Sequence, residues 1–298
     1  MTANAPSPQL QQAVAPADSL TSKAVRRFFR HKLAVFGLIV LLTLIALAVF
    51  APFLSRHSPN DLNLRAMRQP PSMEHWLGTD GTGRDIWARI LYAGRISLSV
   101  GLVAVSISMI VGGIIGSVAG FVGGKTDMML MRLTDMVMTF PSLVIIIVVA
   151  AAMGPSVYNA MIVIGLLTWP SIARLVRSQF LTLREQQFVL AARSIGVSRR
   201  DIAFKHIFPN TVSTIAVAVT IGVASVILLE ASLSFLGLGV QAPTPSWGNM
   251  LRDAQSLNIL EAMPWIWLPP GIMIALAVVS INFIGDGLRD ALDPRSNL

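Results

Sequence analysis

The stretch LAVFGLIVLLTLIALAVFAPFL, residues 33–54, contains no charged side chain. At about 1.5 Å per residue, a helix of this length covers the ~30 Å hydrocarbon core of a bilayer. The rest of the chain has the same character, since 54% of all residues are hydrophobic and only 13% are charged. Soluble domains carry roughly 25% charged residues. With a mean hydropathy of +0.67, the chain is predicted to lie in lipid.

Five further apolar segments follow, and each is predicted to cross the membrane. They are residues 96–122, 136–153, 157–173, 211–229 and 265–284. The predicted fold class is therefore all-α, a polytopic membrane protein with six transmembrane helices, and residues 23–298 form one six-span domain. Residues 1–22, rich in Ala, Pro, Gln and Ser, are predicted to be a disordered cytoplasmic tail.

The positive charges predict the orientation of the spans. The formal net charge is +8, and Lys and Arg near the ends of spans favour the cytoplasmic side. If the N-terminus is cytoplasmic, 16 of the 23 Lys and Arg residues lie inside and 7 lie outside. Both termini are therefore predicted to be cytoplasmic. The largest outer loop is then residues 55–95, and residues 179–209, between spans four and five, form the most basic internal cytoplasmic loop.

Glycine and proline are distributed unevenly over the spans. Glycines recur at every fourth position in and just after the second span: Gly112, Gly116, Gly120 and Gly124. Small residues at this spacing allow helix backbones to approach closely, so we expect a packing role. Prolines interrupt the third, fourth and sixth spans, at Pro141, Pro170, Pro269 and Pro270. Breaks of this kind fit helices that bend in a gated pathway.

The chain offers no catalytic constellation. The segment AGFVGGKT (119–126) fits a loosened phosphate-binding loop, but a membrane span precedes it where a strand is required. Any ATP and Mg²⁺ are therefore expected to be bound by another subunit. The chain has no cysteine, and its four histidines do not show metal-ligand spacing, so no metal site is predicted. These histidines are His31, His57, His75 and His206.

Glu230 directly follows the fifth predicted span, and another apolar stretch comes after it, so it is the one carboxylate embedded in the apolar segments. Ionisable groups in the membrane are costly and usually face a cavity or a partner. One interpretation makes Glu230 a residue of a translocation path or a proton relay. The other makes it a structural hydrogen-bonding group, or a protonated buried group, near the outer end of span five.

The stretch VLAARSIGVSRRDIAFKHIFPN, residues 189–210, predicts two short helices joined by a tight turn. The apolar pattern favours a helix over 184–195, which Gly196 ends. Ser198 followed by Asp201 resembles a capping box, with Asp201 in the first turn of a second helix. Pro209 is expected to end this second helix before span five.

Three explanations of this basic loop compete. A DNA-reading helix-turn-helix needs a core that a loop pinned between two spans does not have, so no nucleic-acid partner is expected. A patch lying on anionic lipid headgroups explains the arginines but not the paired alanines and the glycine turn. A docking element for a cytoplasmic protein explains all three, since small alanines let a helix sit deep in a groove.

The same loop resembles the cytoplasmic "EAA" loop of ABC-importer permeases, whose pattern is EAA-x3-G-x9-IxLP. Its matching positions are Ala191, Ala192, Gly196 and Pro209. Leu190 stands in place of the glutamate, His206 in place of the isoleucine, and Phe208 in place of the leucine. The position of the motif's glutamate therefore carries no charge in this chain.

Three longer segments are similar to the dipeptide/oligopeptide branch of these permeases, and to its second, "C-type" subunit. They are HWLGTDGTGRDIWARILYAGRISL (75–98), EASLSFLGLGVQAPTPSWGNML (230–251) and GDGLRDALDPR (285–295). The resemblance extends over nearly all of residues 25–295. It implies a multi-pass protein of the bacterial inner membrane.

The resemblance also implies partners and a mechanism. A homologous second permease would form a heterodimer with this chain, with the translocation path between the two. Two cytoplasmic ATPases would bind ATP and Mg²⁺, so this chain would be no enzyme itself, and an extracytoplasmic binding protein would deliver the solute. The implied solutes are di- and oligopeptides or, in some members, nickel, glutathione or another small solute. The residues expected at the ATPase contact are Ala191, Ala192, Arg193, Gly196, Ser198, Arg199, Arg200 and Asp201.

Two rival functions are also compatible with the sequence. A self-sufficient proton-coupled carrier would use Glu230 and would need no partner. A structural or assembly protein of the membrane would have no solute path at all.

Overall fold

The computed structural model describes residues 20–154 and 156–292. Within them the regular secondary structure is helical, and the one β-bridge joins Thr79 to Asp85. Residues 1–19 of the predicted tail lie outside the described residues, and the first helix already begins at Leu20. The α-helices are α1 (Leu20–Arg30), α2 (Lys32–Val49), α3 (Ala51–Leu54), α4 (Ile86–Val122), α5 (Gly124–Thr139), α6 (Ser142–Met153), α7 (Val157–Leu183), α8 (Gln187–Ser194), α9 (Arg199–Asp201), α10 (Phe208–Phe235), α11 (Trp247–Met250), α12 (Leu257–Ala262) and α13 (Pro264–Leu292).

Five helices in the described part of the chain are long and apolar enough to cross a membrane. They are Lys32–Val49, Ile86–Val122, Val157–Leu183, Arg199–Phe235 and Pro264–Leu292. A sixth span exists if α5 and α6, which meet at an angle of 77°, count as one broken crossing. The predicted all-α polytopic fold is thus confirmed.

The third predicted span, 136–153, is not one straight helix. α5 ends at Thr139 and α6 begins at Ser142, with Phe140 in an extended conformation (ψ 139°) between them. Pro141 explains the break, because a proline disfavours helical geometry in the residue before it. α6 has 12 residues and is only ~18 Å long, so it is too short to cross a bilayer alone.

The second span is longer than predicted, because residues 86–95 of the predicted outer loop are helical. Asp85 caps α4 by accepting the N–H of Ala88 at 2.7 Å. Arg89 and Arg95 made this segment look like a loop in the sequence. In the structure Arg89 lies 3.5 Å from Asp80, and Arg95 donates to the carbonyl at the end of α2, on Ala48, at 2.6 Å. The loop between the first two spans is therefore residues 55–85.

Helices α4 and α7 pack along the glycines that the sequence singled out. A Cβ atom on Gly112 would lie 2.6 Å from the carbonyl oxygen of Trp169, and one on Gly120 would lie 2.6 Å from Cβ of Phe180. A Cβ atom on Gly116 would likewise lie too close to the carbonyl oxygen of Ala173. The prediction of close helix packing is confirmed for these three positions, which we call the glycine seam.

Gly124 does not belong to the glycine seam. It begins α5 with a positive φ of 58°, and a Cβ atom there would meet nothing within 4 Å. The sequence spacing continued past the point at which α4 ends, so it could not separate a packing glycine from a turn glycine.

Helix α4 connects the two ends of the bundle. Its 37 residues extend for about 55 Å. At its N-terminal end lie residues 55–85 and 236–263, which together we call the loop end. At its C-terminal end Arg184 donates to the Gly120 carbonyl at 3.1 Å, which places residues 184–207, the turn segment, at the opposite end.

Candidate functional site

The turn segment is held by two standard capping motifs. α8 ends in a Schellman motif, in which Val197 N–H donates to Ala192 and Gly196 N–H donates to Arg193, both at 3.1 Å. Gly196 has a φ of +81°, and a Cβ atom there would meet open space. Backbone conformation alone therefore requires glycine at position 196. The prediction that Gly196 ends the first helix is confirmed, although the helix begins at Gln187 rather than at residue 184.

Ser198 begins the second helix as predicted. Its hydroxyl oxygen accepts the N–H of Asp201 at 3.1 Å, and the hydroxyl donates to the Asp201 carboxylate at 2.8 Å. Asp201 also pairs with Lys205 one turn later, at 2.5 Å. Within this chain, Ser198 and Asp201 therefore stabilise the geometry of the turn.

The structure separates the two alanines that were expected to act together. Ala192 is buried with Val189 against α7, beside Phe180, whereas Ala191 is exposed. Residues three apart share one face of a helix, and neighbouring residues do not. Ala192 therefore packs α8 onto its own bundle, and of the two alanines only Ala191 is exposed in this chain. A contact of either alanine with an ATPase stays a prediction.

The surface that the turn segment presents is both basic and apolar. Three arginines, Arg193, Arg199 and Arg200, are exposed. Two large apolar side chains lie among them, Ile195 with 81% and Phe204 with 72% of its area exposed. Exposed apolar groups of this size, rimmed by charge, are typical of a surface that binds another protein.

Pro209 does not end the second helix, contrary to the prediction. Helical structure runs without interruption from Arg199 to Phe235, through a π-helical turn at Ile202–Ile207. The N–H of Phe208 bonds to the carbonyl of Ala203, five residues earlier. This wider turn accommodates the proline that follows, which lacks an N–H and would crowd an ordinary turn. The connection between the two long helical segments is therefore shorter than the predicted loop 179–209. It runs from Leu183 to Arg199 and contains α8.

Two ion pairs that the sequence did not indicate fix the bundle beside the turn segment. Arg177 of α7 makes a bidentate pair with Asp127 of α5, at 2.5 and 2.6 Å. Arg174 bonds to Asp135 at 2.6 Å. These partners lie 50 and 39 residues apart in the chain, so no local pattern could have paired them.

Glu230 lies in a closed hydrogen-bonded cluster near the loop end. Its side chain is 1% exposed and accepts from the Ser234 hydroxyl at 2.6 Å and from the Ser97 hydroxyl at 3.3 Å. The Trp247 N–H in turn donates to Ser97 at 3.1 Å. The carboxylate thereby joins α10 to α4 and, through Ser97, to the start of α11. A role for Glu230 in the translocation path stays a prediction.

The loop end also brings together two histidines that are 18 positions apart in the sequence. The rings of His57 and His75 lie 4.8 Å apart, and His75 Nδ1 lies 2.8 Å from an Asp85 oxygen. The metal-ligating atoms of these three residues all lie within 4.8 Å of one another. Because Asp85 also caps α4, the contact with His75 holds the start of that helix. Sequence spacing did not reveal this cluster, because its three members are distant in sequence and only the folded loop brings them together.

Asp80 organises the charged part of the loop end. One carboxylate oxygen accepts from the Thr82 and Arg84 N–H groups at 2.8 and 3.0 Å, and the other accepts from Arg84 Nε at 2.8 Å. Burial alone would raise the pKa of Asp80, but the Arg84 charge and the bonds to Thr82 and Arg84 outweigh it. The pKa therefore lies below its ordinary value.

These features define a class: a polytopic helical membrane protein that presents a basic, partly apolar helical turn between two of its spans. Residues 112–297 match the family described as binding-protein-dependent transport system inner membrane component. Residues 19–71 match the N-terminal transmembrane domain of oligopeptide transport permease C. The chain belongs to the binding-protein-dependent transport system inner membrane component family. It is therefore a membrane permease subunit and not an enzyme.

Individual relatives agree with this assignment along nearly the whole chain. The dipeptide transport system permease protein DppC of Alkalihalophilus pseudofirmus is 44% identical over 293 residues, covering 98% of this chain and 94% of the relative. A Brucella suis protein with the provisional name of peptide permease is 43% identical over 290 residues, covering 97% and 96%. The oligopeptide transport system permease protein OppC of Haemophilus influenzae is 43% identical over 279 residues, covering 93% and 89%.

Proposed function

We propose that this chain forms half of the translocation path of an ATP-driven importer of di- and oligopeptides. Relatives named for dipeptide and oligopeptide transport, each more than 40% identical, support the substrate class. The other half of the path is a homologous second permease. An extracytoplasmic binding protein delivers the peptide, and two ATPase subunits bind ATP and Mg²⁺.

The proposed orientation places the turn segment and both termini in the cytoplasm of a bacterial cell, and the loop end outside the inner membrane. The excess of Lys and Arg at the ends that would be cytoplasmic supports this orientation. In the same orientation the exposed arginines of the turn segment face the ATPase subunits.

The observation that carries the proposal is the rigid turn at Gly196. Two caps fix the angle between α8 and α9, and helical structure then continues from Arg199 to Phe235. A partner that grips the exposed surface of the turn would therefore move a transmembrane helix directly. Alternating access requires such a link between the ATPase and the bundle.

Gly196→Val tests this role, since a β-branched residue is strained at a φ of +81°. We expect the variant to insert at the wild-type level while peptide uptake and co-purification of the ATPase subunits are lost. Gly154→Val is the matched control, because Gly154 has a φ of +80° and equally open surroundings but lies outside the turn segment. Wild-type uptake by Gly196→Val would contradict the coupling role.

A proton-coupled carrier makes the opposite prediction for the isolated chain. Liposomes that contain only this chain would then take up solute when a pH gradient is applied. Under our proposal they take up none, and uptake appears only with the ATPase subunits and ATP.

A further inference from the structure

A cavity of about 490 Å³ opens at the loop end, between residues 55–85 and residues 236–263. Sites for small molecules have volumes of roughly 300–1,000 Å³ and combine an apolar lining with a few polar groups. This cavity has both. Its apolar wall comes from Ile86, Val240, Met250, Ile259 and Ile266. Its charged groups are Arg68, Asp80, Arg84, Arg89, Arg252 and Asp253.

The deepest charges of the cavity are already engaged within the chain. Arg84 and Arg89 both pair with Asp80, at 2.8 and 3.5 Å. Arg89 also donates to the carbonyl of Pro59 at 3.1 Å. Two guanidinium groups therefore share one carboxylate, which leaves this part of the wall with an excess of one positive charge.

The charges at the rim are not paired with one another. In the described part of the chain, no carboxylate lies within 4.0 Å of a side-chain nitrogen of Arg68 or Arg252, and none of the ion pairs includes Asp253. Arg68 Nε and an Asp253 oxygen nevertheless flank the same point, since they lie 3.8 and 3.6 Å from the position of a Cβ atom on Gly81. Burial raises the pKa of Asp253 and the nearby Asp80 carboxylate raises it further, and together they outweigh the lowering by the Gly81 N–H bond and by the Arg84 and Arg68 charges.

The backbone holds the rim arginines in place. Arg68 has a φ of +54°, which is uncommon for a residue other than glycine, and its N–H donates to the Asp80 carbonyl at 3.0 Å. Strain of this kind persists where the surroundings enforce it, and it is concentrated at functional sites. On the other side of the cavity, a Cβ atom on Gly237 would lie 3.2 Å from Cζ of Arg252, so glycine at this position leaves room for the guanidinium.

We infer that this cavity binds the two charged termini of a short peptide as it enters the translocation path. Arg68 and Arg252 bind the terminal carboxylate, Asp253 binds the terminal ammonium group, and the apolar wall contacts the side chains. The inference rests on the proposed function. A zwitterion matches a concave site whose arginines and carboxylate form no ion pair with one another, whereas an acidic surface loop of a protein would use the arginines and gain nothing from Asp253.

The test measures peptide binding to the transporter complex that co-purifies with the tagged chain, in lipid nanodiscs and without the binding protein. Trialanine is compared with trialanine amide, which lacks the carboxylate, and with N-acetyl-trialanine, which lacks the ammonium group. Removing one hydrogen bond to a charged group weakens binding affinity by about tenfold or more. We expect each modified peptide to bind at least about tenfold more weakly than trialanine.

Substitutions at the rim should remove this discrimination selectively. Arg252→Gln is expected to weaken trialanine binding about tenfold and to leave binding of the amide unchanged. Asp253→Asn is expected to weaken trialanine binding but not that of N-acetyl-trialanine. Gly81→Leu, which fills the space between Arg68 and Asp253 without changing a charge, should weaken all peptides that bind in the cavity. Arg65→Gln is the control, because Arg65 lies on the same loop but does not line the cavity.

Equal losses for trialanine and its amide in Arg252→Gln, or no loss at all, would overturn the inference. Unchanged peptide binding together with weaker capture of the binding protein would also overturn it, and would assign the arginines to a protein-docking surface. Uptake of labelled trialanine by cells separates this failure from failure of the proposed function. Without uptake in the wild type the proposed function fails. Uptake that is present but unchanged in Arg252→Gln refutes the cavity site alone.

Discussion

The glycine seam allows a stability prediction with a built-in comparison. Gly112 and Gly113 are neighbours in the middle of α4, yet their surroundings differ. A Cβ atom on Gly112 would lie 2.6 Å from the Trp169 carbonyl oxygen and 2.9 Å from Cβ of Ile172. A Cβ atom on Gly113 would meet nothing within 4 Å. Substitution by alanine therefore adds the same methyl group to a closed and to an open position of one helix.

The expected magnitudes follow from this difference. Replacing glycine by alanine inside a helix stabilises by about 1 kcal/mol, and both variants gain this term. Only Gly112→Ala must push two backbones apart, and overpacking of this kind costs typically about 1–3 kcal/mol. Gly113→Ala should therefore raise the free energy of unfolding by about 1 kcal/mol. The free energy of unfolding of Gly112→Ala should be about 1–3 kcal/mol lower than that of Gly113→Ala.

The assay is equilibrium unfolding of the purified full chain in mixed micelles, titrated with a denaturing detergent and followed by circular dichroism. The two variants are compared with each other, so the shared helix-propensity term cancels. Equal changes in the free energy of unfolding for Gly112→Ala and Gly113→Ala would refute the close approach of α4 and α7.

Three further predictions concern buried or clustered acids. Glu230→Ala should lower the free energy of unfolding by about 1–3 kcal/mol, because it leaves buried hydroxyls without an acceptor. Glu230→Gln keeps an acceptor oxygen and should lower this free energy by less. A larger decrease in Glu230→Gln than in Glu230→Ala would contradict the structural role. The depressed pKa of Asp80 stabilises the fold above the ordinary value near 3.8, and this stability is lost as the pH falls through the folded-state pKa. An acid titration of thermal stability should therefore show a step below about pH 4 that Asp80→Asn lacks. Asp253 has a raised pKa, so its ionisation costs stability as the pH rises from about 3.8 through the folded-state value. Asp253→Asn should melt at a higher temperature than the wild type at pH 7 while it binds peptide more weakly, and an unchanged melting temperature would contradict this assignment.

Much of the fold could be predicted because the apolar runs and the glycine spacing are local signals. The errors arose where distant contacts decided the structure. Arg89 and Arg95 suggested a loop, but their partners, Asp80 and the end of α2, let α4 begin ten residues earlier. Pro209 suggested a helix end, but the π turn before it absorbs the missing N–H.

The candidate sites were predictable to different extents. The turn at Gly196 and the cap at Ser198 depend on neighbouring residues, so the sequence pattern alone predicted them. The inward position of Ala192 depends on α7 and could not be read from the paired alanines alone. The cavity was not predicted at all, since Arg68 and Arg252 lie in two loops that only the folded bundle brings together.

The helical segment from Arg199 to Phe235 relates the turn segment to the cavity. Its 37 residues extend for about 55 Å, so one continuous helical segment reaches both ends of the bundle. Near its last turn, Glu230 is bonded to Ser97 of α4, while Ser234 lines the cavity and accepts the Val240 N–H at 2.9 Å. A displacement imposed at Arg199 therefore cannot leave the cavity wall unchanged unless the helix yields at a weak point. The π turn beside Pro209 is such a point, because its hydrogen bonding already departs from the regular pattern. Bending there would let the turn segment move without changing the cavity, whereas motion of the intact helix would transmit a displacement of the turn segment to the cavity wall.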